Sequence, residues 1–279
     1  MSAARRTKQR GPNAFEHYYA ELYAERWPAL REAMLEPAGT VGFDRGLLGP
    51  YFLDPASVLA AASLEPEPGS RVLDLCAAPG GKSLVVAGTC PDFGALVCNE
   101  RSSARRARLH RVLADHLPED VLGRVSVTGH DAARWALHEP RAYDRVLADV
   151  PCSSERHVIK SAGALAEWSP SRTKRLAQAA YAIACAGFDA LAPGGRLVYS
   201  TCALSPLEND GVITKLLARG AGDIVSLDPS PILASAADRF RSYLETDGLP
   251  GAPTEHGRHF LPDADRGLGP LYVAVLERR

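Results

Sequence analysis

The stretch that most constrains the fold is residues 72–83, which read Val-Leu-Asp-Leu-Cys-Ala-Ala-Pro-Gly-Gly-Lys-Ser. The apolar first half is typical of a buried parallel strand, and the apolar residues after the turn predict a helix. In open α/β sheets, ligands bind beyond the carboxyl ends of such strands. We therefore expect a ligand at this turn. The alternative interpretation is an ordinary turn that only connects a strand to a helix.

The glycines of this turn add a chemical expectation. Gly80 and Gly81 lack a Cβ atom, which would let a ligand approach the backbone closely, and the N–H groups of the following helix favour a carboxylate or phosphate. A Walker A phosphate loop is excluded, because that motif needs a glycine where this chain has Cys76.

Length and charge restrict the class of protein. The chain has 279 residues, of which 46% are hydrophobic and 23% charged, and its formal net charge is −1. These values fit one large α/β domain, alone or with a small appendage. Because the chain is not strongly basic, an RNA-binding surface would have to be a local patch. Two basic clusters qualify, and a solvated helix face is the alternative for the second: Arg5, Arg6, Lys8 and Arg10, then Arg101, Arg105, Arg106, Arg108 and Arg111.

Cysteine spacing and hydropathy exclude further classes. The 6 cysteines include no Cys-x-x-Cys pair, so we expect no metal site. No apolar stretch approaches the ~18 residues that a membrane helix needs, and the polar, basic N-terminus does not resemble a secretory signal. We expect a monomer with no membrane contact in a reducing compartment, which is the cytoplasm or, in a eukaryote, the mitochondrion.

After the glycine turn, apolar strand patterns alternate with helical ones, which predicts a mostly parallel sheet with helices on both faces. Seven strands are predicted, at residues 72–75, 95–99, 125–128, 145–149, 196–200, 223–227 and 271–276. Helices are predicted at 103–116, 173–191 and 206–218, with loops at 36–50 and 155–171 and no assignment for 229–268.

The N-terminal part has a different pattern, which predicts three regions along the chain. Residues 1–12 are interpreted as a disordered basic tail, 13–64 as a short helical extension and 65–279 as the main α/β domain. Aromatic and aliphatic residues recur at helical spacing between Ala14 and Leu35, and Pro28 should divide them into two helices. This aromatic stripe could stack bases, but a core function is the favoured interpretation.

Two acidic residues follow predicted strands. Glu100 ends the second strand and lies where a carboxylate accepts both ribose hydroxyls in dinucleotide folds. Asp131 follows the third strand and could accept a hydrogen bond from an adenine amino group. Either acid alone could be a solvated strand end, but the two together with the glycine turn predict a nucleoside cofactor.

Two cysteines also lie just beyond strand ends, unlike the others, which mostly lie inside apolar runs. If the strands that precede Cys152 and Cys202 are neighbours, their ends lie about 5 Å apart, and both thiols reach one pocket. Buried inert thiols are the alternative interpretation for each cysteine taken singly.

Three motifs carry a resemblance to a known family. Residues 74–82, 149–152 and 200–202 resemble the cofactor turn and the two cysteine motifs of the RNA 5-methylcytosine methyltransferases of the Nol1/Nop2/Sun family. Similarity continues at 51–57, 204–209 and 269–272, so that it covers about residues 50–279, and 149–157 look most like the mitochondrial small-subunit rRNA branch and its bacterial relatives.

The resemblance implies a Rossmann-like class I methyltransferase fold and S-adenosylmethionine as the cofactor. It also implies the residues that contact the cofactor, which are Ala78, Pro79, Gly80, Gly81, Lys82, Glu100, Arg105, Asp131 and Asp149.

The implied chemistry gives the cysteines distinct roles. Cytosine C5 is a weak nucleophile until a thiolate adds at C6, which is covalent catalysis. By resemblance, Cys202 is the nucleophile, Cys152 assists product release and Asp149 contacts the target base. Lys82 adds positive charge, and its partner could be the cofactor, the base or Asp149.

Several substrates remain open from the residues alone. Ribosomal RNA is favoured, and transfer RNA is the alternative. DNA cytosine or a small molecule would make a different methyltransferase, but N- and O-methylation need no pair of strand-end cysteines. A catalytically idle RNA-binding or assembly factor is a further alternative. The short N-terminal part leaves RNA choice to the catalytic surface or to a partner protein.

Overall fold

The computed structural model of the chain describes residues 10–220, 222–244 and 249–279. Its helices are α1 (Pro12–Tyr23), α2 (Trp27–Leu35), α3 (Pro55–Ala62), α4 (Gly81–Thr89), α5 (Ser103–His116), α6 (Glu119–Leu122), α7 (Glu155–Lys160), α8 (Ala162–Glu167), α9 (Pro170–Ala190), α10 (Asp210–Arg219), α11 (Pro229–Arg239) and α12 (Arg241–Leu244), with 3₁₀ turns at Ala24–Arg26 and Ala132–Leu137. Its strands are β1 (Val41–Phe43), β2 (Tyr51–Leu53), β3 (Arg71–Asp74), β4 (Ala95–Asn99), β5 (Val125–Thr128), β6 (Tyr143–Asp149), β7 (Leu191–Thr201), β8 (Ile224–Leu227), β9 (Ala252–Pro253), β10 (Arg258–Phe260) and β11 (Leu271–Arg278).

The main sheet has the order β5-β4-β3-β6-β7-β11-β10-β9, and β8 also pairs with β11. The strands from β3 to β7 are parallel to one another, whereas β8 to β11 pair antiparallel at the other side of the sheet. The predicted Rossmann-like α/β fold is confirmed. The predicted count of seven strands is wrong, because the 9-stranded sheet also contains the very short β9 and β10 from the unassigned segment.

Helices cover both faces of the sheet, as predicted. Consecutive residues of a strand point to opposite faces, and accordingly Val72 packs with α3, α4 and α5 while Leu73 packs with α9 and α10. This double covering explains why the parallel strands read as continuous apolar runs. It also brings the carboxyl ends of the parallel strands, with the loops that follow them, to one edge of the sheet.

Some predicted loops contain regular structure. Residues 36–50 include β1, which pairs with β2, and residues 155–171 include α7 and α8. These elements are too short for hydrophobic periodicity to show them. Conversely, α10 begins at Asp210 rather than at 206, because side chains bind the preceding turn: Tyr199 donates to the Glu208 carbonyl over 2.6 Å and Thr201 to Asn209 over 2.6 Å.

The N-terminal helices pack as a small layer over α7 and α8. The aromatic stripe is core, as favoured, since Phe15, Tyr19 and Trp168 are fully buried against one another. Most of the predicted basic tail, residues 1–9, lies outside the described residues, and α1 begins at Pro12. The division at 64/65 stays a prediction, and α3 packs within the core of the main sheet. Among the described residues, no helix is long and apolar enough to cross a bilayer.

Candidate active site

The two strand-end cysteines meet. Strands β6 and β7 are parallel neighbours with Asp149 opposite Ser200, so the loops that follow them leave the sheet side by side. The Cys152 and Cys202 sulfur atoms lie 2.8 Å apart, and both are free thiols. Both side chains are partly buried and line one cavity of about 530 Å³, which we call the thiol pocket. Its size is that of a small-molecule site.

Asp149 lines the same pocket, and each of its carboxylate oxygens accepts a hydrogen bond. Its Oδ2 accepts a hydrogen bond from Lys82 Nζ over 2.8 Å, and its Oδ1 accepts one from the Ser200 hydroxyl over 2.7 Å. Lys82 is therefore paired with Asp149, which is one of the three partners that the sequence left open, and a contact with the cofactor or the base stays a prediction. Burial alone would lower the pKa of Lys82, but the carboxylate outweighs it and the pKa is raised.

The two thiols are electrostatically unequal. A hydrogen bond from Cys152, helped by one from the Ser154 hydroxyl, lowers the pKa of Cys202 despite its burial. The same bond to Cys202, together with burial, raises the pKa of Cys152. Cys202 is therefore the thiol of the pair that ionises first, and Cys152 is the one that keeps its proton.

Ser154 is a residue that the sequence analysis missed. It precedes α7 with φ 52° and ψ 57°, in the left-handed region that favours glycine. Its hydroxyl lies 3.2 Å from the Cys202 sulfur and 3.6 Å from the Cys152 sulfur. Nothing in the sequence marks this residue, since serine is common in loops and rarely adopts this conformation.

Two buried carboxyl groups hold the loop that carries Cys152, and the sequence analysis missed both. Glu155 accepts hydrogen bonds from the Tyr19 hydroxyl, the Ser153 hydroxyl and, over 2.9 Å, the Leu204 N–H. Glu208 lies against the same Ser153, whose hydroxyl is 2.5 Å and whose N–H is 2.9 Å from its oxygens. These contacts tie the β6 loop to the β7 loop and to α1.

Protonation of this network follows from counting hydrogens. The Ser153 hydroxyl has one hydrogen and lies against both carboxyl groups, so a proton on one carboxyl would give the second contact its own hydrogen bond. Burial, reinforced by the neighbouring Glu155 charge, raises the pKa of Glu208 from its ordinary 4.5 to about 7. Glu208 is therefore the better holder of the proton.

The glycine turn is built as predicted, but its glycines serve packing. Gly80 has φ 120°, and a Cβ there would lie 2.9 Å from Val112 of α5. A Cβ on Gly81 would lie 2.7 Å from the Tyr51 ring. Protein side chains thus occupy the space that a Cβ would fill, and the expected approach of a ligand to this backbone stays a prediction. Beneath the turn, burial raises the pKa of Asp74 to about 7, and its carboxyl accepts from Ser83 over 2.7 Å.

The two predicted strand-end acids line a second cavity of about 310 Å³, which we call the acid pocket. Glu100 is buried and binds the Ser102 N–H over 2.8 Å and Arg105 over 3.0 Å. Asp131 accepts from the Ala133 N–H over 3.2 Å and pairs with the exposed Arg101 over 3.3 Å. Apolar side chains, including Pro151 and Ile183, complete the wall.

The acid pocket and the thiol pocket are adjacent. Cys76 and Arg105 line both cavities, and Arg105 also donates to the Ala78 carbonyl of the glycine turn over 2.7 Å. The structure thus brings Cys152, Cys202, Asp149 and Lys82 into one group and Glu100, Arg105 and Asp131 into another. Ala78 lines the thiol pocket, Pro79 and Gly81 line a further cavity of about 220 Å³ together with Lys82 and Asp149, and Gly80 immediately precedes α4.

The acid pocket fits a nucleoside. It combines an apolar wall with two carboxylates at neighbouring strand ends, which can accept hydrogen bonds from an adenine amino group and a ribose diol. Within the ranges that the structure describes, no group of three or more His, Cys, Asp or Glu side chains is placed to hold a metal ion.

The chain is similar to proteins that are described as RNA methyltransferases. A family model described as 16S rRNA methyltransferase RsmB/F matches residues 61–266. The 5-cytosine rRNA methyltransferase NSUN4 of Bos taurus is 41% identical over 240 residues, which cover 84% of this chain and 60% of that protein. The mitochondrial tRNA (cytosine(34)-C(5))-methyltransferase of Mus musculus is 34% identical, with 82% of this chain and 63% of that protein covered. The chain thus spans about 60% of the length of these relatives.

Solved structures share the fold. A methyltransferase homolog protein from Pyrococcus horikoshii superposes with a TM-score of 0.69 at 21% identity, covering 95% of this chain and 94% of that one. NSun6 from the same organism, crystallised with SFG, gives a TM-score of 0.65 at 23% identity, covering 85% and 54%. The family model spans most of the 279 residues, and the resemblance carried by the three motifs is confirmed: the chain belongs to the 16S rRNA methyltransferase RsmB/F family.

Proposed function

We propose that this chain is an S-adenosylmethionine-dependent RNA cytosine-C5 methyltransferase that acts on ribosomal RNA. The observation that carries the proposal is the pair of thiols 2.8 Å apart beside an anchored carboxylate. Methyl transfer to nitrogen or oxygen needs no thiol, whereas C5 of cytosine needs a nucleophile at C6 and a base for the C5 proton.

The first step uses the more acidic thiol. The Cys202 thiolate adds to C6 of the cytosine: a carbon–sulfur bond forms and the C5–C6 double bond breaks. Its electron pair is shared between C5 and N3 of the ring, which makes C5 nucleophilic. S-adenosylmethionine, when bound, supplies the electrophilic methyl group that C5 accepts. Asp149, held by Lys82 and Ser200, lines the pocket and contacts the target base.

The second step needs a base. After methylation, C5 carries both a hydrogen and the methyl group. Once Cys202 is bonded to C6, it no longer holds the Cys152 proton, and Cys152 loses that proton to water. As a thiolate, Cys152 then removes the C5 hydrogen as a proton, the C5–C6 double bond re-forms, and the carbon–sulfur bond breaks to return Cys202 as a thiolate. The lower pKa of Cys202 also makes it the better leaving group.

Cofactor binding is assigned to the acid pocket and the glycine turn. Glu100 would hold the ribose and Asp131 the adenine. Arg105 lines both this pocket and the thiol pocket and donates to the Ala78 carbonyl, and the Ala78–Pro79–Gly80–Gly81 backbone would make further contacts with the cofactor. Lys82 and Asp149, which line the thiol pocket, are the remaining residues assigned to the cofactor. Arg105 has to exchange part of its present contacts when a ligand enters, because it bridges Glu100 and the Ala78 carbonyl.

Ribosomal RNA is the favoured substrate because the matching family model and the bovine relative are both described as rRNA methyltransferases. Transfer RNA is the second candidate, since the mouse relative is described as acting on tRNA. Arg156 and Lys160 give the thiol pocket a basic wall for RNA phosphates, and both donate to the backbone carbonyl of Glu36. Monomeric state, any partner protein and the compartment stay predictions.

Covalent trapping tests the reaction. Incubated with S-adenosylmethionine and small-subunit rRNA, Cys152→Ala should accumulate an RNA–protein adduct on a denaturing gel, whereas Cys202→Ala should form none. An adduct with Cys202→Ala would overturn the nucleophile assignment. Parallel incubations with tRNA, followed by bisulfite sequencing of both RNAs, decide the substrate. Methylation of tRNA alone would contradict the rRNA proposal.

A further inference from the structure

Ser154 adopts a conformation that its residue type does not favour. Its φ of 52° is in the left-handed region, which costs a non-glycine residue about 1 kcal/mol or more and costs glycine little. Sequence changes that relieve such strain are readily available, so strain beside reacting groups points to a function for the side chain.

The Ser154 hydroxyl does not serve its own helix. It makes no capping bond to α7, although the Ser154 carbonyl accepts from the His157 N–H over 2.9 Å. The hydroxyl instead lies 3.2 Å from the Cys202 sulfur, 3.6 Å from the Cys152 sulfur and 3.4 Å from the Cys152 carbonyl oxygen. The carbonyl contact is long for an O–H···O bond, so the hydrogen is best placed toward Cys202.

The surroundings of Cys202 make this donor important. Asp149 and Glu155 both oppose a negative charge on the Cys202 sulfur, and burial opposes it as well. Lys82 is the cation that interacts with this sulfur, and its charge is already paired with Asp149. Among the residues that the structure describes, two hydrogen-bond donors lie against the sulfur and could stabilise a thiolate, which are the Cys152 thiol and the Ser154 hydroxyl. Because Cys152 is needed as a base in the proposed reaction, only Ser154 can donate throughout.

We propose that the Ser154 hydroxyl holds the Cys202 sulfur as a hydrogen-bonded thiolate and thereby determines its reactivity toward C6. This inference rests on the proposed function, which gives Cys202 the nucleophile's role and Cys152 the role of the base. The left-handed backbone of Ser154 is what aims the hydroxyl at the sulfur, and the strain is the consequence.

The test measures the thiol without RNA or cofactor. The rate of Cys202 alkylation by iodoacetamide is followed from pH 6 to 10 by peptide mass spectrometry, in the full chain, for wild type, Ser154→Ala and Ser154→Gly. Cys152 and Cys202 fall on different tryptic peptides, so each thiol reports separately. Both variants should alkylate Cys202 about tenfold more slowly at pH 7, which corresponds to a midpoint about one pH unit higher.

Stability separates this role from a structural one. Ser154→Gly relieves the left-handed strain, so its melting temperature should equal or exceed that of wild type while Cys202 becomes less reactive. A wild-type alkylation profile in both variants would overturn the inference. Absence of methyl transfer by the wild-type protein would instead overturn the proposed function, and the alkylation profiles would still decide independently whether Ser154 activates Cys202.

Discussion

The thiol pocket and the acid pocket lie at the same edge of the sheet, but their acidic side chains are held differently. Beside the thiol pocket, Glu155 and Glu208 are fully buried and bind Tyr19, Ser153 and the backbone of the facing loop. In the acid pocket, Glu100 and Asp131 pair with arginines whose side chains are 53% and 75% exposed.

This difference matches the function that we propose for each pocket. Two sulfur atoms that react with one ring must keep a fixed separation, and a buried network with few alternative partners achieves this. A pocket that admits and releases a nucleoside needs acids whose present partners can be exchanged. Exposed ion pairs contribute little stability and are readily replaced. Substitutions in the two pockets can show whether the difference is real, and their expected effects range from a loss of stability to a change in cofactor affinity.

Removing Glu155 beside the thiol pocket should cost far more stability than removing Glu100 in the acid pocket. Glu155→Ala leaves the Tyr19 and Ser153 hydroxyls and the Leu204 N–H without their acceptor, so we expect a loss of about 3 kcal/mol or more in the free energy of unfolding. Glu100→Ala leaves groups that water can reach and should cost about 1 kcal/mol. Urea denaturation measures both, and equal losses would contradict the comparison.

Removing a cation should affect catalysis only at the thiol pocket. Lys82→Met deprives Asp149 of its partner, and we expect kcat for methyl transfer to fall about 100-fold at saturating cofactor and RNA. Arg101→Met removes the exposed partner of Asp131 and should change kcat less than about twofold. A similar fall in both variants would show that the two pockets are equally sensitive.

The pH dependence of stability should reveal the buried proton. With its pKa raised to about 7 in the folded protein, Glu208 binds a proton more tightly than it does when unfolded. Its contribution is therefore fully present below about pH 4.5 and is lost as the pH rises to about 7.

Glu208→Gln should remove this loss. Between pH 5 and 8, we expect the wild-type free energy of unfolding to fall by about 2 kcal/mol more than that of the variant, as measured by urea denaturation at each pH. Glu32→Gln, at an exposed position on α2, controls for the substitution. A parallel pH course for wild type and Glu208→Gln would mean that Glu208 is not protonated in the fold.

The smallest effect is expected on cofactor affinity. Glu100→Gln keeps the shape of the side chain but removes its charge, so S-adenosylmethionine should bind about tenfold more weakly by isothermal titration calorimetry. Glu32→Gln again serves as the matched control. Unchanged affinity in Glu100→Gln would show that Glu100 does not bind the ribose. The proposed roles of the cysteines would not be affected, because the trapping experiment tests them separately.

Local patterns predicted most of the frame of the site. Apolar runs placed β4, β5 and β11, and helical spacing placed α5 within the same bounds or nearly so. Short elements escaped, since β1, β9 and β10 have at most three residues each and α7 and α8 have six, too few for periodicity to show. The boundary between α9 and β7 was also missed. The Pro-Gly-Gly sequence predicted a strand that starts only after it, whereas β7 begins at Leu191 because Leu191 pairs with Tyr143.

The glycine turn shows which contacts can be predicted from neighbouring residues and which cannot. Its position between β3 and α4 could be read from the residues. The atoms that occupy the space beside Gly80 and Gly81 could not, because Val112 and Tyr51 come from elements some 30 residues away in either direction.

By itself, the sequence determined that a strand, a glycine turn and a helix follow one another, that acids and cysteines stand at strand ends, and which family the motifs resemble. These properties depend on residues close together in the chain. Only the tertiary structure decided that Ser154 reaches Cys202 and that Glu155 and Glu208 share Ser153. Those contacts join residues as far apart as Tyr19 and Glu155, separated by 136 positions, and burial gives them their strength by removing water as a competing partner.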